Sequence, residues 1–289
     1  MTDYDSMADA DFRGARIRSF LLNVMSALSG RSRDLMAFDD VRESLHLGGP
    51  VYRGVQPVLL SQIVGSVDRY RDFDRLFLPT QSRTIDRWTR INRAWYQDIS
   101  LPPVLLYKVG DAYFVIDGNH RVSVARNRGQ EYIDAEVREC SARVPVTKDV
   151  RPEDLERLHD RIEFLERSRL DEVRPGSQVE TTILGGYERL IEHIAVHRYF
   201  MGIDQKRPIP ETEAVAHWYD SIYLPVVGVV NSSGILDELE GRTATDVYLW
   251  VMDHLHFLRS RPGMETAGPQ QAAEDFLGGL TEDEIDDLA

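Results

Sequence analysis

Cysteine is nearly absent from this chain of 289 residues: Cys140 stands alone. That excludes an intrachain disulfide framework and any cysteine-rich zinc site. Long apolar runs are missing too. Nothing approaches the roughly 20 consecutive apolar residues of a membrane helix, and Phe20-Leu21-Leu22 is too short for a secretory core, so the expectation is a cytoplasmic protein with no membrane partner. Positive charge is also short, with 34 basic against 48 acidic residues and a formal net charge of −14. A protein whose main work is gripping a phosphate backbone is poorly served by that balance, although a local basic face can still bind one. The hydrophobic content of 42% is ample for a core.

The densest pattern runs from Leu101 to Arg138. Val104 to Val109 and Tyr113 to Ile116 are β-rich runs joined by Gly110-Asp111, a Gly-first pair suited to a hairpin. The second run ends in Asp117-Gly118-Asn119-His120-Arg121, after which Val122, Val124 and Ala125 fit one helical face. Arg126 and Arg128 fall in the last turn and Gly129 is the expected stop. Tyr132 to Val137 reads as a closing strand. A glycine turn feeding a helix leaves backbone N–H groups free beside an arginine, and such a turn can hold an anion.

This stretch resembles the nucleotide-binding core of the ParB/sulfiredoxin superfamily. The likeness extends upstream, where Gln56 to Ile63 is similar to the family's opening strand and Arg83 to Gln97 to its first long helix. The resemblance covers residues 50 to 142, about a third of the chain, and implies binding of CTP or ATP on the turn. It makes Gly118, Asn119, His120 and Arg121 nucleotide-binding residues, with His120 also a catalytic candidate. Asp117 becomes a Mg²⁺ ligand or a base accepting a proton from an attacking hydroxyl. The alternative for Asp117 is a cap or a partner for Arg121, and Asn119 is also a common N-cap. Asn119 stands where sulfiredoxin carries its cysteine, which argues against sulfinic-acid reduction.

Between Gly65 and Pro79, the same resemblance makes Arg69, Arg71 and Arg75 candidate phosphate contacts, with Tyr70 or Phe73 a base-stacking surface. The alternative is a surface loop whose arginines pair with Asp68, Asp72 and Asp74. On the helix at 83 to 97, Ile85, Trp88, Ile91 and Trp95 share a face expected in the core. Arg83, Arg87 and Arg90 lie opposite, as a DNA or partner face or a solvated one.

The expected organisation is α+β. A helical arm at 1–50 contains a mobile start to residue 11 and an amphipathic helix at 12–28, whose stripe is Ile17, Phe20, Leu21, Val24 and Leu28. The ParB/sulfiredoxin-like core at 51–142 is followed by a helical domain at 150–260, with Pro225 interrupting or kinking its middle helix, and by a flexible acidic tail at 261–289. His193 and His197 are spaced for one metal, although the order is not H-E-x-x-H. The functional expectation is a Mg²⁺-dependent nucleoside triphosphate-binding protein, acting as an NTPase switch or a phosphoryl-transfer enzyme, with a homodimer possible. The alternative is a DNA-associated or regulatory module, or a nuclease. No clear helix-turn-helix follows the core, and true partition proteins carry one there.

Overall fold

Two units divide the computed structural model, Met1–Leu158 and His159–Ala289; it describes residues 3–29, 35–280, 285 and 288. The first is mixed α+β. Its strands are β1 (Met36–Ala37), β2 (Val51–Leu59), β3 (Ile63–Ser66), β4 (Val104–Val109), β5 (Ala112–Asp117) and β6 (Tyr132–Cys140). They form one sheet in the order β1-β3-β5-β4-β6-β2. The β1/β3, β3/β5 and β4/β6 pairs are parallel, whereas β4/β5 and β2/β6 are antiparallel. At the β4/β5 hairpin Gly110 adopts φ +56°, and a Cβ there would lie 2.3 Å from the Val146 carbonyl oxygen. Only glycine fits both demands. The interior strand β5 is buried from Ala112 to Val115, which is why it reads as a continuous apolar run.

The expected opening strand is split. β2 ends at Leu59, a 3₁₀ turn covers Leu60–Gln62, and β3 begins at Ile63. The Arg126 guanidinium supports this corner by donating to the carbonyls of Leu60 and Ile63 and, at 3.0 Å, of Arg75. Burial depresses its pKa to about 10, so it remains charged at neutral pH.

Helices α1 (Asp3–Ser29), α2 (Phe38–Ser44), α3 (Ile85–Tyr96) and α4 (Asn119–Asn127) accompany the sheet. Residues 3–11, expected to be mobile, are the first turns of α1. Asp11 accepts hydrogen bonds from Asn92 (2.9 Å), Tyr96 (2.9 Å) and Arg128 (3.1 Å), which anchors that end. The buried face of α1 is also not the expected one. Ala8, Phe12, Ala15 and Ser19 are buried, whereas Ile17, Phe20, Leu21 and Val24 are exposed; the Leu28 side chain lies outside the described residues. The small side chains let α1 approach α3, where the Phe12 ring meets Trp88 edge-on at 5.5 Å. Trp88 is fully buried and its indole N–H donates to Ser123 Oγ at 2.9 Å, joining α3 to α4. Ile85 and Ile91 pack partly buried beside it, but Trp95 is exposed and lies under the Arg128 guanidinium at 4.3 Å.

The chain continues through α5 (Leu155–Ser168), α6 (Leu170–Val173), α7 (Gly186–Gln205), α8 (Glu211–Trp218), α9 (Leu224–Ser233), α10 (Ala244–Arg259) and α11 (Pro269–Gly279). Between α8 and α9, Tyr219–Tyr223 widens into a π-helical turn just before Pro225. A proline cannot donate to the preceding turn, and the widened turn absorbs that defect without breaking the helix path. Trp218, Tyr223 and Tyr248 form the aromatic centre, with Trp218 Nε1 donating to Tyr248 Oη at 3.0 Å. Part of the tail expected to be flexible is ordered: α11 packs on α9 and α10, burying Ala272 and Ala273, and Asp275 lies 2.7 Å from His254. His193 and His197 do not converge. His193 Nδ1 meets Tyr248 Oη at 3.2 Å, His197 Nε2 meets His217 Nδ1 at 2.8 Å, and no cluster of three or more metal-ligating side chains occurs among the described residues. Among those residues no helix is long and apolar enough to cross a membrane.

Candidate functional site

The site is assembled where β5 passes into α4. Gly118 occupies the N-cap with φ +111°, and a Cβ there would sit 2.6 Å from Val104 Cγ1. Glycine is therefore demanded by backbone conformation and by packing against β4 together. No side chain caps α4, so Asn119 is not the cap, and the first intrahelical bond is Val122 N–H to the Gly118 carbonyl at 3.0 Å. The N–H groups of the first turn lack intrahelical acceptors and, with the helix dipole, favour an anion.

A cavity of about 110 Å³ lies on this helix end, lined by residues 68, 69, 87, 91 and 116–121. Of the residues expected at the nucleotide site it gathers Asp117, Gly118, Asn119, His120, Arg121 and Arg69, and it takes in Arg87, expected on a DNA or partner face. His120 is 3% exposed, yet among the described residues neither of its ring nitrogens has a hydrogen-bond partner, and the buried Oδ1 of Asn119 is likewise unpaired. Burial first, then the positive fields of Arg87 and Arg69, lower the His120 pKa from 6.5 to about 4; Asp72 opposes them and Arg90 adds to them. The imidazole is thus neutral at pH 7 and presents one donor and one acceptor.

Arg121 braces the cavity wall. Its Nη1 donates to the Pro102 (2.5 Å) and Pro103 (2.8 Å) carbonyls, and its Nη2 to Asp117 Oδ2 at 2.5 Å. Asp117 therefore takes the ion-pair alternative and is not a cap. Arg69 lines the cavity but is held at 3.1 Å by the buried Asp72, which also receives Arg83 through Nε (3.2 Å) and Nη2 (2.5 Å).

Other expected contacts fall elsewhere. Arg71 is exposed, its guanidinium 5.6 Å from the Tyr70 ring centre, and does not line the cavity. Arg75 donates to the Val150 (2.8 Å) and Lys148 (3.3 Å) carbonyls. Phe73 is 2% exposed, so it is no stacking surface for a base; its ring supports His120 edge-on at 5.2 Å. The arginine stripe on α3 is likewise divided, because Asp72 holds Arg83, the cavity takes Arg87, and Arg90 faces solvent.

A second cavity, of about 280 Å³, shares Ile91 and Arg121 with the first and is walled by Trp95, Pro102, Pro103 and Tyr132. Sequence reasoning missed this neighbour. Its one signal was Pro102-Pro103 ahead of β4, a pair whose carbonyls stay outside the ladder and accept from Arg121. A scan of protein-family models finds no match to the chain, and no curated protein sequence matches it.

Proposed function

We propose that the protein binds the phosphates of a nucleoside triphosphate, CTP or ATP, at the N-terminus of α4. The observation that carries this reading is His120, buried with both ring nitrogens unpartnered at an uncapped helix end among Arg69, Arg87 and Arg121. A buried polar group without a partner costs about 1–3 kcal/mol, and a ligand oxygen in the cavity removes that penalty. The resemblance of the hairpin, Gly-Arg turn, short helix and closing strand to the ParB/sulfiredoxin core supports the same assignment. About 110 Å³ holds roughly three or four waters' worth of space, which suits a phosphate group and not a whole nucleotide. The nucleoside then falls in the adjoining cavity, over Pro102, Pro103 and Tyr132.

Mg²⁺ characteristically arrives with phosphate oxygens and one or two carboxylates, not in an all-protein cage. Asp117, with Asp68 on the same cavity wall, is the carboxylate available for it. Binding that draws Arg121 toward phosphate frees Asp117 for the metal or for accepting a proton from an attacking hydroxyl, the step a phosphoryl-transfer enzyme or NTPase switch needs. Should Asp117 stay locked to Arg121 at 2.5 Å, the same site serves as a non-catalytic regulatory module. Calorimetric titration with CTP, ATP, GTP and UTP, with and without Mg²⁺, tests the reading. One nucleotide should bind in a Mg²⁺-dependent manner, and no heat with any of the four overturns it.

A further inference from the structure

Helix α1 buries one side along its first two-thirds and exposes an apolar stripe on the opposite side of its second half. Ala8, Phe12, Ala15 and Ser19 are buried. Roughly 180° away on the helix wheel lie Ile17 (61% exposed), Phe20 (68%), Leu21 (56%), Val24 (46%) and Met25 (66%). A contiguous apolar stripe on a helix is the face expected to be covered. Here one side is covered by its own unit and the other faces solvent.

We infer that this outer face of α1 is the self-association surface of the protein, pairing with the same face of a second copy about a two-fold axis. Ile17, Leu21 and Val24 follow the four-three spacing with which helices interlock, and Phe20 and Met25 flank that seam. Complete burial of the five side chains would remove at most roughly 600 Å² per copy, hence about 1,200 Å² for a pair, the lower bound for a specific, stable interface. From Ile17 to Met25 the only charge is Arg18. A seam free of charge meets no like-charge repulsion when it pairs with the same seam of a second copy. A lipid surface fits less well. Arg13, Arg16 and Arg18 would attract anionic headgroups, but Asp5, Asp9 and Asp11 on the same helix and the net charge of −14 oppose them. Each copy carries that charge, so added salt should tighten the dimer by screening repulsion between copies.

The test is sedimentation equilibrium of the full chain between about 1 and 200 µM, in low and high salt, for wild type and for the double variant Phe20→Glu, Val24→Glu. Both altered side chains are outside the core, and circular dichroism verifies the fold. Wild type should approach twice the 33.1 kDa chain mass, more readily at high salt. The double variant should lose at least a hundredfold in association constant. Leu21→Cys, near the middle of the seam, should form a covalent dimer under mild oxidation, because the native Cys140 is buried and does not compete. A wild type that remains monomeric at 200 µM overturns the inference. So does a double variant that still dimerises, or a monomeric wild type that sediments with phosphatidylserine vesicles through this face.

Discussion

His120 offers the sharpest test of the site, because its environment predicts a pH dependence of known sign. The ring is 3% exposed, lies against Phe73, and feels the positive fields of Arg87, Arg69 and Arg90, which Asp72 opposes. Burial and the arginines hold its pKa near 4, against 6.5 for the free side chain. The folded state then binds fewer protons than the unfolded state between those two values. Stability therefore falls as pH drops from 6.5 to 4 and is insensitive to this group above 7. At about 1.36 kcal/mol per pH unit the full penalty is at most about 3 kcal/mol, reduced by solvent entering the cavity. The assay is urea denaturation of wild type and His120→Gln at several pH values from 4 to 7.5. The difference between the two proteins isolates this histidine from the carboxylates that also titrate in acid. Wild type should lose about 2–3 kcal/mol relative to the variant across the window. A parallel pH dependence of the two, or a His120 proton resonance titrating above pH 6 in the free protein, would refute the reasoning. Saturating nucleotide should raise the His120 pKa, since an anion offsets the arginine field.

Gly118→Ala combines positive-φ strain with a clash against Val104 and should cost about 2–4 kcal/mol in denaturation, while nucleotide binding is lost even where the variant remains folded. Asp117→Asn should lower phosphate release or transfer by roughly 10²–10⁴-fold, measured in single-turnover assays at saturating nucleotide and Mg²⁺. Duplex DNA should bind weakly or not at all near physiological salt, and not at all after Arg87→Glu, Arg90→Glu; tight, salt-tolerant retention in a gel shift would make a DNA-associated role the better reading. Asp246 accepts from Thr181 Oγ1 (2.6 Å), Thr182 N (2.8 Å), Thr182 Oγ1 (2.7 Å) and Thr243 N (2.9 Å), so Asp246→Ala should destabilise the second unit by roughly 3–4 kcal/mol by thermal unfolding. Burial raises its pKa but these hydrogen bonds more than offset that, so its contribution is present above pH 4 and lost as pH falls through the depressed value.

The sequence by itself determined the local course of the chain around the site. The Gly110-Asp111 hairpin, the glycine turn at 118, the helix after it and its stop at Gly129 are written in residue types whose preferences act within a few positions. Partner choice was decided only by the tertiary structure. Seven arginines between 69 and 93 are nearly equivalent in sequence, yet Asp72 takes Arg69 and Arg83, the cavity takes Arg87, and backbone carbonyls at 148 and 150 take Arg75. The same holds for the two apolar sides of α1, of which the one with small side chains reached Trp88. Periodicity records that a face is apolar, but which face is covered depends on how closely another element can approach it. That distance is set by residues tens of positions away.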